Sequence, residues 1–362
     1  MGTVVSGVSV AAQARVGTWN AMRLGNGEQK SYEAMAAIAA NLDIFALQEV
    51  MNSEGVESLQ AALEKRTGEK WSVLSSSPVG SRSYKEMYSF VYRDSAVEYL
   101  DGAVSYLDRS NIFIREPFSA TFKSKLDGGI FSLATVHIVY GASPAVRIPE
   151  LQELGNFWTW LEQIYPGQPI ILMGDFNMRP DDPAFESLRS HAIPLVTDGA
   201  STLSTTDKKF ANLYDNVFVN VRARALISGV GIVNFPAMLG WDHVKARQHV
   251  SDHAPIFFQM GKAQLPAAVQ MVYPQGPTQK GRQVPNAVAA NDSVFTREVT
   301  HAVGGQASVP QARSVHGNRN SLIYHLASGC PSYDKISPKN LVVFSSEADA
   351  ISQSYRKAGN CH

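Results

Sequence analysis

Pro169-Ile170-Ile171-Leu172-Met173-Gly174-Asp175-Phe176-Asn177 is an apolar run that stops on an acid and an amide two residues apart. Five apolar residues without alternation, bounded by a glycine, read as a buried strand. Side chains two residues apart on a strand point the same way, so Asp175 and Asn177 are presented together. A carboxylate beside an amide suits a hard divalent ion, a phosphate oxygen or an attacking water. Alone, the tetrad Gly174-Asp175-Phe176-Asn177 would make only a turn, because Asp and Asn favour turns after strands.

Other apolar segments end in, or begin beside, groups of the same kind. Val16-Gly17-Thr18-Trp19-Asn20 ends on an amide, and Ile44-Phe45-Ala46-Leu47-Gln48-Glu49 on a carboxylate. Phe131-Ser132-Leu133-Ala134-Thr135-Val136-His137 ends on an imidazole. Tyr214-Asp215-Asn216 opens Val217-Phe218-Val219, and Ser251-Asp252-His253-Ala254-Pro255 opens Ile256-Phe257-Phe258. Strand ends that converge on one edge of a packed sheet build a site. Two histidines, four carboxylates and two asparagines, with no nucleophilic cysteine or serine motif, suit metal-assisted hydrolysis of a phosphoester.

Spacing predicts helices over 31–41, 54–66 and Pro149–Tyr165, the last carrying Leu151, Leu154, Phe157, Trp158 and Leu161 at three-and-four intervals. Alternating Tyr88, Phe90 and Tyr92 read as a strand, and 118–140 as a hairpin closed by Asp127-Gly128-Gly129. The expected fold class is α+β, a two-layer β-sandwich flanked by helices, with a small C-terminal α/β module.

These words together resemble the endonuclease/exonuclease/phosphatase superfamily, and within it deoxyribonuclease I. Ser83-Tyr84-Lys85-Glu86-Met87-Tyr88-Ser89-Phe90-Val91-Tyr92-Arg93 is similar to a deoxyribonuclease I segment, as is Arg115-Glu116-Pro117. The resemblance covers roughly residues 15–260. It implies a secreted, metal-dependent, largely sequence-non-specific endodeoxyribonuclease that leaves 5′-phosphate ends and acts on DNA as a monomer. It pairs His137 with Glu86 and His253 with Asp215 as catalytic couples. A carboxylate on one ring nitrogen fixes the tautomer and raises the basicity of the other nitrogen. Asp175 and Asn177 would orient water and hold the scissile phosphate. Asn20 and Glu49, with Asp252 nearby, would hold Mg²⁺ or Mn²⁺, Ca²⁺ being admitted as a supporting ion. Arg82, Tyr84 and Arg115 would contact DNA. Two departures stand out: Met51 occupies the position of the family's minor-groove arginine, and the family's calcium-holding residues and cysteine pair are not recognisable in the short loop before Arg115. The rival expectations are a phosphatase or lipid phosphodiesterase of the same superfamily and a non-catalytic nucleic-acid-binding surface protein.

The 362-residue chain is 44% hydrophobic, enough for one large core and a small extra module. It carries 32 basic and 32 acidic residues, unevenly spread: residues 261–362 hold ten basic against five acidic. That basic tail could add non-specific attraction to phosphate. No run of about 18 apolar residues exists, so no membrane span is expected. Residues 1–14, ending in Ala12-Gln13-Ala14, read as the remnant of a secretory signal. Residues 15–260 would be the nuclease domain, 261–315 a linker and 316–362 the terminal module. That module resembles the small Ada-type metal-binding-like units appended to bacterial secreted nucleases. Its two cysteines, Cys330 and Cys361, are the only ones in the chain. They admit a disulfide, contributing on the order of 3 kcal/mol, or Zn²⁺ held with His325 and His362.

Overall fold

Burial on both faces explains why the strands read as apolar runs rather than as alternation. The computed structural model describes residues 12–26, 29–206, 209–266 and 271–272, and in the C-terminal part 315–318, 323–326, 333, 336, 340–344, 347–352 and 355–358.

The chain lays down one sheet, then a second, then returns to the first. It begins with β1 (Ala14–Leu24), α1 (Tyr32–Ala39), β2 (Ile44–Val50), α2 (Ser53–Thr67), β3 (Trp71–Ser75), β4 (Val79–Gly80) and β5 (Lys85–Arg93). The second sheet follows, with β6 (Val97–Ser105), β7 (Phe118–Ser124), β8 (Ile130–His137), α3 (Ile148–Ile164), β9 (Ile170–Asp175), α4 (Glu186–Arg189), β10 (Ile193–Pro194) and β11 (Asp215–Val219). The return comprises α5 (Val221–Leu226), β12 (Ile227–Val233), α6 (Phe235–Leu239), α7 (His243–His249), β13 (Ile256–Met260) and β14 (Met271–Val272). The first sheet runs β14-β12-β13-β1-β2-β5-β3 with β4 on β5, and the second runs β10-β11-β9-β8-β7-β6.

On β9, Ile171 and Met173 join the core shared with Val16, Leu47, Phe90 and Phe258 of the first sheet. Ile170 and Leu172 face the other way, into a cluster with Leu151, Leu154, Phe157, Trp158 and Leu161 of α3. The helix therefore covers the outer face of the second sheet. Asp175 continues the odd-numbered side of β9 and so points between the layers. Capping follows the sequence: Ser31 accepts from Ala34 N at the start of α1, and Asn52 accepts from Gly55 N at the start of α2. Gly68 closes α2 in the left-handed region.

Described elements reach past two of the expected boundaries. Ala12 and Ala14 are fully buried, and Ala14 already pairs with Met260. The stretch read as the end of a leader is thus packed into the domain. At the other end, β14 pairs Val272 with Ile232 and Met271 with Val233, so the first sheet extends past residue 260. In the C-terminal part the described elements are β15 (Val315–Asn318), β16 (Ile323–Leu326), β17 (Leu341–Phe344), α8 (Glu347–Ser352) and β18 (Arg356–Lys357). Its sheet order is β17-β15-β16-β18, over a small core of Val315, Tyr324, Phe344, Ala350 and Tyr355. His325 lies opposite His316 on neighbouring strands. Cys330, Cys361 and His362 lie outside the described residues.

Candidate active site

One rung of the second sheet carries three of the expected residues. His137 at the end of β8 is in register with Asp175 of β9, and Asp175 is in register with Asp215 of β11. The first sheet faces this rung with Asn20 on β1, Glu49 on β2 and Glu86 on β5, while His253 lies just before β13. Gly174 makes the rung possible. Its φ is +147°, and a Cβ there would lie 2.0 Å from the Val136 carbonyl oxygen. Only glycine permits that approach between β8 and β9.

Both expected couples are formed. His137 Nδ1 lies 2.8 Å from Glu86 Oε1, and His253 Nδ1 lies 2.8 Å from Asp215 Oδ2. Each imidazole turns its Nε2 toward the same atom, Asp175 Oδ2, at 3.6 Å. Further bonds lock the frame. Ser201 Oγ donates to Asp215 Oδ2 at 2.6 Å, Trp19 Nε1 donates to the His253 carbonyl at 2.9 Å, and Ser251 Oγ donates to the Asn20 carbonyl at 2.6 Å. Asn177 N donates to Asp175 Oδ1 at 2.9 Å, and Asn177 Nδ2 to the Ile138 carbonyl at 2.8 Å.

Charge distinguishes the two couples. Burial alone would lower the pKa of His137, but Glu86 outweighs it and the net shift is upward, with Arg115 opposing. Burial also works against His253, yet Asp215 and Asp175 lift it well above the ordinary imidazole value. Burial pushes the Asp215 carboxyl up, and its net shift stays upward although His253 opposes it. For Asp175 and Glu86 burial again pushes upward, but the imidazoles beside them bring both below the usual carboxylate range.

Asn20 Nδ2 donates to both Glu49 Oε1 and Asp175 Oδ2, at 3.0 Å each, and so holds two carboxylates side by side. Its own Oδ1 accepts from Met22 N, and Glu49 Oε2 accepts from Arg23 N, both at 2.9 Å. The adjacent Glu49 and Asp175 carboxylates are hard oxygen donors of the kind that hold a divalent cation, while Asn20 presents its amide nitrogen to them. Among the described residues the ligand atoms of Asp175, Asp215 and His253 also lie within 4.8 Å of one another. That buried group can hold a metal as well. However, His253 Nδ1 and Asp215 Oδ2 are already bonded to each other, leaving Asp215 Oδ1 as its unpartnered atom. Asp252 lines the same cleft but pairs with Arg247 at 3.1 Å. The cleft encloses about 470 Å³ between His137, Tyr140, Asp175, Asn177, Tyr214 and His253.

The expected DNA-contact residues are placed differently from one another. Tyr84 is half-buried, its hydroxyl on Met51 Sδ at 3.6 Å, and burial pushes its pKa up, helped by Glu49 and Glu86. Arg115 is buried; its Nε donates to the His137 carbonyl at 3.0 Å and lies 3.8 Å from Glu86. Arg82 is exposed in the turn before β5.

Sequence reading missed the residues behind the cleft. Glu150 is buried, accepting from Ile114 N and Val139 N; burial raises its pKa. Arg147 is buried too, donating from Nε to the Tyr140 carbonyl at 2.8 Å and from Nη1 to the Asn177 carbonyl. A signal existed. Positions 147 and 150 fall four residues before Leu151 and Leu154, on the apolar stripe of α3, where charged residues are out of place.

Paired imidazoles and converging carboxylates at one end of a two-sheet sandwich define a phosphoester-hydrolysing enzyme. Residues 17–253 match the endonuclease/exonuclease/phosphatase family, and the chain belongs to that family. It is 46% identical over 254 residues to a deoxyribonuclease of Thioalkalivibrio sp. (strain K90mix), covering 68% of this chain and 70% of that one. To deoxyribonuclease-1-like 1 of Sus scrofa it is 29% identical over 265 residues, covering 69% of this chain and 81% of the other. A Bacteroides vulgatus endonuclease/exonuclease/phosphatase structure superposes with a TM-score of 0.52 at 17% identity, over 70% of this chain and all of that one, which shows the shared fold. Among the described residues no helix is long and apolar enough to cross a membrane.

Proposed function

We propose that this protein is a secreted, divalent-metal-dependent endodeoxyribonuclease, largely indifferent to sequence, that cuts DNA internally and leaves 5′-phosphate ends. The observation that carries the reading is the meeting of both imidazole Nε2 atoms at Asp175, each imidazole backed by its own carboxylate. Two imidazoles about a common carboxylate can serve one phosphodiester, one as proton donor to the departing oxygen and one as a standing positive charge. The named relatives support DNA as the substrate.

Asp175 and Asn177 orient the attacking water and hold the scissile phosphate between the two histidines; as the water oxygen bonds to phosphorus, its proton passes to the ionised Asp175 carboxylate. His137 hands a proton to the departing 3′ oxygen, and Glu86 stabilises the imidazolium that must be present beforehand. His253, held by Asp215, stands on the other side of Asp175 and stabilises charge that develops on the phosphoryl oxygens. Glu49 and Asn20, with Asp252 on the rim, would hold Mg²⁺ or Mn²⁺. A bound divalent ion supplies Lewis-acid stabilisation of the same developing charge.

Supercoiled plasmid incubated with the protein and Mg²⁺ tests the proposal. Nicked circles should precede linear DNA, EDTA should stop the reaction, and end-labelling should find phosphate on the 5′ side. Release of mononucleotides with circular plasmid untouched would sink the endonuclease reading.

A further inference from the structure

The loop after His137 is anchored more firmly than its exposed position requires. Val139 N is held by the buried Glu150 carboxylate at 2.9 Å, and the Tyr140 carbonyl by buried Arg147 at 2.8 Å. Gly141 turns the chain at φ +63°, where a Cβ would lie 2.6 Å from Val146. Tyr140 itself is 58% exposed at the mouth of the cleft that holds His137 and His253. The Arg147 guanidinium lies 4.3 Å from the centroid of its ring, and 5.4 Å from that of Tyr214. The two tyrosines meet edge to face, with centroids 6.4 Å apart. An exposed aromatic ring usually keeps its rotamer freedom. This one is braced from behind by a buried cation and from the side by a second ring.

Anchoring the loop explains Glu150 and Arg147, but it does not explain a large ring turned to solvent beside the reacting groups. A pre-set ring loses little freedom when it is covered, so binding there is favoured. Its flat surface fits the face of a nucleobase, and stacking of that kind tolerates any base. A base can reach it only when it is out of the duplex stack.

We propose that Tyr140, braced by Arg147 and Tyr214, is a stacking subsite for an unstacked nucleobase next to the scissile phosphate, and that it gives the enzyme a capacity for single-stranded DNA. The inference rests on the deoxyribonuclease reading and adds to it which form of DNA the cleft accepts. Single strands offer their bases without the work of opening a helix, whereas intact duplex bypasses the shelf.

The test compares wild-type protein with Tyr140→Ala, Tyr140→Phe and Tyr140→Trp on one oligonucleotide, presented single-stranded and annealed to its complement, in Mg²⁺. Circular dichroism confirms folding. Tyr140→Ala should raise KM for the single strand about tenfold, within the range of one lost base stack, and KM for the duplex several-fold less, so that the single-strand to duplex ratio of kcat/KM falls. Tyr140→Phe and Tyr140→Trp should stay near wild type on both, because each keeps a ring. Equal losses on both substrates, no loss on either, or a Phe variant as poor as Ala would overturn the subsite. Failure of the wild-type protein to cut either DNA would instead defeat the deoxyribonuclease reading, and the subsite with it.

Discussion

His137 comes from the second sheet and takes its carboxylate, Glu86, from the first; His253 comes from the first sheet and takes Asp215 from the second. The couples thus cross the sandwich in opposite senses and meet at Asp175. Their bond lengths match, but their surroundings do not. Arg115 stands behind His137 and Glu86 and opposes protonation of the imidazole. Around His253 the neighbouring charges are carboxylates, Asp215 and Asp175 first and Asp252 after them. Equal geometry therefore carries unequal proton affinity. His253 is the tighter holder of a proton and suits standing charge stabilisation. His137 is the more easily deprotonated and suits transfer.

The largest expected effect falls on the atom the couples share. Asp175→Asn should lower kcat by about 10⁴-fold, since both imidazoles lose the carboxylate between them. His137→Ala and His253→Ala should each cost about 10²–10⁴. If the couples act as one unit, the double variant should be little worse than the poorer single one. A well-folded single variant that kept near wild-type turnover would break the comparison.

Next comes pH. Glu86→Gln removes the carboxylate that holds the His137 proton, so burial dominates and the alkaline limb of kcat should move to lower pH. Asp215→Asn should move it less, because Asp175 and Asp252 both still favour the charge on His253, whereas Arg115 opposes it on His137. The same shifts bear on stability. Both histidines lie above the ordinary value of 6.5, so the stability they confer is complete below that pH and lost as pH rises through the raised values. In EDTA, the wild-type Tm should fall across that range more than the Tm of a His137→Gln/His253→Gln double variant; parallel curves would contradict the upward shifts.

A smaller effect is expected from the tail. Cutting after Gly281 keeps β14 and deletes eight basic against five acidic residues. Turnover at saturating DNA should hold, with KM raised a few-fold, most visibly as salt increases. Cutting after Met260 should cost stability as well, because it strips β14 and half-buried Leu265 from the first sheet. Smallest of all, Met51→Arg should tighten duplex binding by an inactive variant and steepen its salt dependence by about one counterion. An unchanged slope would mean that the groove is not gripped there.

Asn20, Glu49, His137 and Asp175, which the structure brings together, were legible because they sit at strand ends, where a polar terminus closes an apolar run; Glu86 and the pairing of each histidine came from the family resemblance. Sequence reading found β9, β5, α2 and α3 because long runs keep their periodicity. It lost the braces. Arg147 and Glu150 act through main-chain carbonyls and amides of a loop, and such contacts leave no repeat to read. β14 escaped because two residues make too short a pattern. Ala12 and Ala14, buried at the start of β1, are small enough to suit either a leader or the edge of a packed core, so composition alone does not place that end.

Five described non-glycine residues adopt positive φ; two of them, Glu49 and Asn177, line the cleft, and two more, Met22 and Arg23, donate their amides to Asn20 and Glu49. Each such residue is held against a preference worth about 1–2 kcal/mol. Among the described residues, most of the backbone held against its preference is therefore gathered at the working end. Breeding this protein for heat tolerance would draw changes to these positions first, with glycine as the easiest relief. The hardiest descendants would then be slow ones, unless selection for heat and for turnover were applied in the same round.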